Sequence, residues 1–363
     1  MTTILKRSPL IPCIALLSAV AVCPAAGAPS ISDVNQVTTP QPKLIISGSG
    51  FTSKPRPQPL YFFDFEDGTK SQSPRSFISS PLNATGTITR QTTPFSSGHS
   101  LRYTITDDHS ATVLPRIELD QAPDELYVYY HRRYDFSIAD SSTWGPNGLN
   151  LKPNRFWSRD GNNIVLGYQG KEGVNSGRMI AEYTGTGGTL WLSRSLPQIK
   201  DEWIQEEIIY KAGDVNVQNG TFDIIRNGVL PYQRKWRMRT NDRPGKYNQF
   251  YFDQISNGVN ASKGMNIYYD NIYVDNSFHR VYVSESATYN SANKRLIQVP
   301  TMWDDNRIEV DLNTGGASVD SLYVYVVDSN GNANENGARI CQSNCPEAQG
   351  PSAPPDAPSL SVE

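Results

Sequence analysis

The chain has 363 residues, with 33 lysines and arginines against 36 aspartates and glutamates and a formal net charge of −3. This balance does not favour a nucleic-acid-binding protein, which would be expected to carry a basic face. Hydrophobic residues make up 37% of the chain, and 27 glycines and 25 prolines punctuate it. Short runs of alternating polar and apolar residues, separated by Asn, Gly, Asp and Ser clusters, are typical of strands and turns. Since helical periodicity is hard to find, these runs predict an all-β fold.

The first residues have the order of a secretory signal peptide. Lys6 and Arg7 precede an apolar run over residues 11–22, and small residues follow at 25–28. The apolar run is too short to span a membrane, so we expect a cleaved leader over residues 1–28. No later segment is apolar enough to span. We therefore predict a secreted protein, whether extracellular, periplasmic or held at the cell surface.

Two of the four cysteines lie in the leader, and Cys341 and Cys345 form a close pair near the other end. In an oxidising compartment this pair predicts a local disulfide. A zinc site would need two further ligands, and a thioredoxin-like motif would have two residues between the cysteines rather than three. Residues 341–363 are rich in Pro, Ser and Ala, which predicts an extended tail.

Residues 29–57 and 277–340 are too short to form large domains separately. The first contains two predicted strands followed by Gly48-Ser-Gly50-Phe51, and the second contains four predicted strands. The runs PSISDV and KLIISGSGF resemble the opening strands of a TIG/IPT domain, and the continuation of that family pattern occurs only after residue 277, at Val299-Pro300 and VVDSNG. The resemblance implies one small immunoglobulin-like β-sandwich split by an inserted domain. The alternative is two separate edge elements that pack on that domain.

Several short runs within residues 58–276 carry a family pattern. They are Phe65–Gly68, Ser100–Arg102, Trp203, Glu206, Glu207, Tyr210, Lys211, Gly220–Gly228 and Tyr268–Val274. In these runs the segment resembles the concanavalin-A-like jelly rolls, which include laminin-G domains, glycan-binding modules and jelly-roll polysaccharide lyases. The resemblance implies a concanavalin-like β-jelly-roll sandwich that handles glycans, and it is a likeness of fold more than of activity.

Two enzyme motifs of that fold are absent or incomplete. The laminarinase-type Glu-x-Asp-x-x-Glu strand does not occur in this chain. The alginate-lyase-like pattern is represented by Tyr210-Lys-Ala-Gly213 and Tyr247-Asn-Gln249, which are far apart, and the Gln-x-His strand is missing. The motifs therefore leave open whether the protein is an enzyme.

The stretch ELYVYYHRRYDF at residues 125–136 alternates as a β-strand. Leu126, Val128 and Tyr130 would face the core. The opposite side would carry a row that can grip a ligand, namely Tyr127, Tyr129, His131 and Arg133. Sugars dock on aromatic rings, and Arg fixes carboxylates, so we expect this row to line a glycan groove.

Two further polar rows extend the predicted groove. The first contains Tyr247, Gln249, Tyr251 and Asp253, opposite the apolar Phe250 and Phe252. The second contains Lys152, Asn154, Arg155 and Trp157. A groove lined by these residues would be rich in tyrosine and locally basic, which predicts an acidic extracellular polysaccharide as the partner.

These residue types could perform β-elimination on a uronate, which requires a carboxylate neutraliser, a base and an acid. We expect His131 or a tyrosinate as the base, Tyr129 or Tyr251 as the acid, and Arg133, Arg155 or Gln249 as the neutraliser. The residues expected to bind substrate are Tyr127, Lys152, Arg155, Trp157, Tyr247 and Gln249. The alternatives are a non-catalytic carbohydrate-binding or adhesin module and a structural surface protein, since Tyr-rich strands also form for packing alone.

No cofactor is expected, with one alternative to consider. Asp64, Glu66, Asp67 and Asp270 lie on the first and last strands of the predicted jelly roll, which are often neighbours, and their carboxylates could hold a structural Ca²⁺. The simpler interpretation is that these acids form turns without a metal.

Overall fold

The computed structural model describes residues 27–66, 78–80, 87–90, 98–105, 116–138, 140, 149–171, 174–183, 188–191, 198–230, 234–257 and 264–340. Within these ranges the chain is all-β, with two short 3₁₀ turns at Tyr289–Ser291 and Val319–Ser321. None of the helical segments in the described part is long and apolar enough to cross a membrane. The predicted cleavage region before residue 27, the Cys341–Cys345 pair and the tail lie outside the described residues.

Strands from both flanks of the chain form one antiparallel sheet of seven strands, here called the flanking sheet. Its order is β1-β2-β20-β19-β18-β21-β22. The strands are β1 Ser30–Val37, β2 Lys43–Ser49, β18 Arg280–Ser284, β19 Leu296–Trp303, β20 Arg307–Asp311, β21 Tyr323–Val327 and β22 Ala338–Arg339. The pairing of β2 with β20 joins the two flanks, and in it Leu44 lies opposite Val310.

The flanking sheet has a hydrophobic core drawn from both flanks. Leu44, Ile46 and Phe51 pack with Val281 and Val324, all buried. Neither flank could bury these side chains alone, which accounts for the shared sheet. The finer assignment of this unit to the TIG/IPT immunoglobulin-like family stays a prediction.

The segment between the two flanks folds into a jelly-roll type sandwich of two antiparallel sheets. The first, here called the outer sheet, has seven strands in the order β12-β11-β10-β9-β16-β7-β4. Its strands are β4 Ile78–Ser80, β7 Arg116–Leu119, β9 Leu149–Trp157, β10 Asn163–Lys171, β11 Val174–Tyr183, β12 Gly188–Trp191 and β16 Gln249–Asn257.

The second sheet of the sandwich, here called the middle sheet, has eight strands. Seven follow the order β15-β14-β13-β8-β17-β6-β5, and the eighth, the short β3, pairs with β17. Its strands are β3 Tyr61–Phe63, β5 Thr87–Arg90, β6 His99–Thr104, β8 Glu125–Tyr134, β13 Trp203–Lys211, β14 Gly220–Arg226, β15 Lys235–Trp236 and β17 Asn266–Asp275. The all-β sandwich predicted from the alternating runs is confirmed.

The core of the sandwich lies between the outer and middle sheets. Leu126, Val128 and Tyr130 face it from β8, as their alternation predicts. Phe156 and Phe250 face it from the outer sheet, with ring centroids 4.7 Å apart. Burial of such rings supplies most of the driving force that holds the two sheets together.

A buried ionic cluster lies within this core. Glu206 is fully buried and accepts hydrogen bonds from Arg226 Nε at 2.8 Å, from Asn154 Nδ2 at 2.8 Å and from the Tyr130 hydroxyl. Arg132 Nη2 lies 3.4 Å from the same carboxylate. Burial alone would raise the pKa of Glu206, but the two arginines and the hydrogen bonds outweigh it and lower the pKa to about 2. Glu206 is therefore a charged structural residue.

Candidate functional site

The row predicted from β8 to line a groove is instead buried between the middle and flanking sheets. Tyr127, Tyr129 and His131 are each 0% exposed. The two tyrosines pack with Tyr282 and Ile297 of the flanking sheet. The prediction that these three side chains line an open groove is wrong, because the second flank of the chain covers this face of the sandwich.

His131 belongs to a chain of buried hydrogen bonds. Its Nδ1 lies 3.4 Å from Asn271 Nδ2, which can only donate, so Nε2 carries the proton and donates to the Tyr129 hydroxyl at 3.0 Å. Tyr129 in turn donates to the carbonyl oxygen of Arg295 at 2.8 Å. Burial lowers the pKa of His131 to about 3, so the ring is neutral. Neither side chain can reach a polymer from this position, which removes His131 as the base and Tyr129 as the acid.

Arg133 and Tyr247 are also separated from the predicted groove. The Arg133 guanidinium is partly buried and stacks 4.3 Å from the ring of Tyr268, beside Trp203. Tyr247 lies in the sandwich core, where its backbone N–H donates to the Tyr210 hydroxyl at 3.1 Å. The prediction that Tyr247 binds substrate is wrong, because β16 begins only at Gln249 and the alternation does not extend back to Tyr247.

Five of the predicted residues do come together, on the face of the outer sheet that points away from the core. Tyr251 lies opposite Arg155 in the register of β16 and β9, and Gln249 lies opposite Trp157. All four are partly exposed, and so is Lys152 farther along β9. We call this surface the open face, and it consists of Glu118, Lys152, Arg155, Trp157, Gln249 and Tyr251.

The side chains of the open face form a continuous set of contacts. The Arg155 guanidinium carbon lies 3.7 Å from the centroid of the Trp157 ring, a close cation–π stack. The rings of Trp157 and Tyr251 lie 6.4 Å apart. The Tyr251 hydroxyl donates to Gln249 Oε1 at 3.2 Å, and Gln249 Nε2 donates to Glu118 Oε1 at 3.3 Å. A cation, an amide and two rings are thus held in fixed relation to one another.

A bulge decides which residues of β9 face outward. The pairing of β9 with β10 shifts between Leu166 and Tyr168, so that β9 contains one extra residue between Leu151 and Asn154. Both Leu151 and Asn154 are buried, and Asn154 contacts Glu206 rather than a groove. Pro153 marks this bulge in the sequence, since proline inside a strand is confined to edges and bulges. A correct interpretation of Pro153 would have removed Asn154 from the predicted row.

Glu118 belongs to the open face but was not predicted. It lies on β7 between the buried Ile117 and Leu119, so its side chain points away from the core. The alternation of Arg116-Ile-Glu-Leu119 carries this information, although the segment is too short to be recognised as a strand with any specificity.

The acids considered for calcium serve as backbone caps where they are described. Glu66 Oε1 accepts hydrogen bonds from the N–H groups of Gly98 and His99, and Asp64 Oδ1 accepts one from Glu66. Asp270 accepts one from the N–H of Asn271. Asp67 lies outside the described residues, and within those residues no group of three or more His, Cys, Asp or Glu side chains could hold a metal. A structural Ca²⁺ stays an alternative to the simpler interpretation.

Comparison with known proteins gives structural neighbours but no sequence relatives. No protein-family model matches the chain, and no curated protein matches it. Structural similarity is found with an alginate lyase, Aly36B, in complex with alginate trisaccharide, at 15% identity and a TM-score of 0.42 over 60% of this chain and 98% of that one. It is also found with the endo-β-1,4-glucuronan lyase of Trichoderma reesei, at 14% identity and a TM-score of 0.39 over 61% and 96%. At these values the function must be argued from the residues of this chain.

Proposed function

We propose that the protein binds an acidic polysaccharide along the open face and cleaves it by β-elimination. The observation that carries this proposal is the contact set of Arg155, Trp157, Tyr251 and Gln249, which combines a carboxylate-binding cation, two rings and a proton-transfer group on one partly exposed surface. From Lys152 to Trp157, β9 spans roughly 16 Å, which is enough for several sugar units.

Recognition of the substrate would rest on Arg155 and the two rings. Arginine binds carboxylates in a bidentate manner, and the stack on Trp157 holds its guanidinium plane in place before substrate arrives. Tyr251 offers a ring edge and a hydroxyl beside it, while Lys152 adds a second positive charge on the same strand. This combination suits a polymer that carries a carboxylate on each sugar.

The chemistry would proceed by syn elimination at a uronate residue. Arg155 and the Gln249 amide neutralise the carboxylate and stabilise the enolate that develops when the C5 proton leaves. The Tyr251 oxygen accepts that proton and passes a proton to the glycosidic oxygen at C4. The C4–O bond breaks, a C4–C5 double bond forms and the tyrosine returns to its starting state. This assignment replaces His131 and Tyr129, which are buried.

A non-catalytic glycan-binding module is the second candidate. The burial of His131 and Tyr129 favours it, because Tyr251 is the one predicted proton-transfer group that the described part of the open face retains. A binding module needs only rings, cations and hydrogen bonds, all of which the open face offers. The predicted leader supports a site of action outside the cytoplasm for either candidate.

The deciding experiment is incubation with a panel of polyuronates while the ultraviolet absorbance of unsaturated uronate is followed. We expect an increase with the unaltered protein, and we expect Tyr251→Phe to abolish the increase but keep affinity for the polymer. Tyr323→Phe is the matched control, because this tyrosine is also partly exposed but lies on the flanking sheet. No increase on any polymer, with binding retained, would assign the binding module instead.

A further inference from the structure

A strongly basic segment runs along one end of the sandwich. Residues 234–246 read RKWRMRTNDRPGK, with four arginines and two lysines against one aspartate, in a chain whose net charge is −3. We call this segment the basic strap. It connects β15 at the edge of the middle sheet to the start of β16 in the outer sheet.

The strap is fixed at both ends. Trp236 and Met238 are buried in the sandwich core. The residues that alternate with them, Lys235 and Arg237, are exposed. Asn162 links this end to the other, since its Nδ2 donates to the carbonyl oxygens of Met238 at 2.9 Å and Gly245 at 2.8 Å.

The anchoring turn begins directly after Trp157 of the open face. Asp160 in this turn accepts hydrogen bonds from the Ser158 hydroxyl, from the Asn162 N–H at 3.1 Å and from the Gly245 N–H at 2.6 Å. These bonds lower the pKa of Asp160 against the opposing effect of burial. Its carboxylate is therefore engaged in closing the turn.

Two arginines lie at the Trp157 end of the open face as a result. Arg243 Nη1 donates to the carbonyl oxygen of Gly161 at 2.5 Å. A methyl group added at Gly161 would lie 3.0 Å from Arg243 Nη1 and 4.0 Å from Trp157 Nε1, so the guanidinium and the indole N–H flank the same glycine. Arg159 Nη2 lies 4.0 Å from Glu118 Oε1, with its side chain 65% exposed. The cations of the open face thus continue past Trp157.

Two other cations of the strap are engaged within the protein. Arg239 donates to the carbonyl oxygens of Gly213 and Pro244, and Lys246 pairs with Asp124 at 2.6 Å. Arg159 and Arg243 are exposed. The contacts described above are to Glu118 for the Arg159 side chain and to the Gly161 carbonyl oxygen for the Arg243 side chain. The pair of Arg159 with Glu118 is long and largely exposed, so it contributes little to stability and leaves the Arg159 guanidinium accessible to a ligand.

We propose that Arg159 and Arg243 form a second binding segment that continues the open face, so that the preferred ligand is a polyuronate several units long rather than a short acidic sugar. The proposal rests on the function proposed above. A chain laid parallel to β9 would meet Lys152 and Arg155 first and the two arginines beyond Trp157. Each cation would attract a different carboxylate of the same polymer.

The test compares alginate oligomers of two lengths, a trimer and an octamer, by calorimetric titration at low and high salt. For the double variant Arg159→Gln, Arg243→Gln we expect affinity for the octamer to fall about tenfold, as two exposed charge contacts would predict. Affinity for the trimer should stay the same, and the salt dependence of octamer binding should weaken. The matched control is Lys43→Gln, Arg307→Gln, which removes two partly exposed cations from the flanking sheet.

The outcomes separate this inference from the proposed function. If the unaltered protein binds the octamer and the double variant binds it equally well, the second segment is overturned and the open face remains. If the unaltered protein binds neither oligomer, both proposals fail. Should the double variant unfold because Arg243 closes the turn, Arg159→Gln alone gives the same comparison, since Arg159 is largely exposed. An unchanged octamer affinity in that variant would also overturn the proposal.

Discussion

The hydroxyl oxygens of Tyr127 and Tyr282 lie 2.6 Å apart and join β8 of the middle sheet to β18 of the flanking sheet. Both tyrosines are buried, and the Tyr282 hydroxyl donates to Glu207 Oε2 at 2.6 Å while it accepts from Arg280 Nε at 2.6 Å. Arg295 Nη1 lies 3.7 Å from the other oxygen of Glu207. A buried polar network of this kind fixes the position of one sheet on the other.

Removal of the Tyr282 hydroxyl should therefore weaken the protein. Tyr282→Phe keeps the ring but removes the buried acceptor of Arg280 Nε and one of the donors to Glu207. We therefore expect a loss of about 1–3 kcal/mol in the free energy of unfolding. Urea denaturation measures the loss. Tyr323→Phe, at a partly exposed position of β21, should change stability by less than about 0.5 kcal/mol. Equal effects of the two substitutions would contradict the network.

Neutralisation of Glu206 should have a larger effect. Glu206→Gln leaves Arg226 and Arg132 buried without their counter-ion, which typically costs about 3–5 kcal/mol. Glu309→Gln breaks the exposed pair with Arg307 and should cost less than about 1 kcal/mol. Chemical denaturation of both variants gives the comparison, and a Glu206→Gln protein as stable as the Glu309→Gln protein would be inconsistent with the buried cluster.

Stability should fall as the pH is lowered from 6.5, partly because of His131. In the folded state, burial lowers the pKa of His131 to about 3, whereas in the unfolded state His131 has its ordinary pKa near 6.5. Between these values the unfolded chain binds a proton that the folded chain does not, so the stabilisation present above pH 6.5 is lost progressively as the pH falls toward 3. The loss is about 1.4 kcal/mol per pH unit for one such group.

The variant His131→Asn isolates this contribution. Its absolute stability will be lower, because packing and hydrogen bonds change, but its decline between pH 6.5 and pH 5 should be shallower than that of the unaltered protein. Unfolding free energies measured at several pH values provide the two slopes. Parallel slopes would mean that His131 is accessible to protons in the folded state.

Arg155 should not be replaceable by lysine. Arg155→Lys keeps the charge but loses the planar fork and the stack on Trp157, so we expect affinity for a polyuronate to fall about tenfold. Affinity electrophoresis in polyuronate gels measures the change. Arg307→Lys, on the flanking sheet, is the control and should leave migration unaltered. Retained affinity in Arg155→Lys would argue that charge alone binds the polymer.

The sequence predicted the fold better than the site, for a physical reason. Alternation identifies the two faces of a strand, and it placed Leu126, Val128 and Tyr130 in the core correctly. It cannot say what covers the opposite face. For Tyr127 the covering residue is Tyr282, 155 positions away along the chain. A row of tyrosines can face a partner sheet as readily as a ligand, and composition does not distinguish the two.

The outer-sheet residues were predicted more successfully, because local alternation decides on which side of the sheet they lie and no distant segment is needed to place them. Gln249, Tyr251, Arg155 and Trp157 share a face as their spacing implies. Asn154 was misplaced by the bulge at Pro153. Arg243 could not be associated with this face, since only the folded turn around Gly161 brings its guanidinium near Trp157.

The pairing of Leu44 with Val310 also sets an order of events during synthesis. The β1–β2 hairpin leaves the ribosome first, but its partner strand β20 emerges only after the entire sandwich has been translated. The sandwich can therefore close while its tyrosine-rich surface at Tyr127, Tyr129 and Tyr273 is still uncovered. A chain interrupted before residue 280 would retain that surface in contact with water, and we expect nascent or truncated forms to be the aggregation-prone species of this protein.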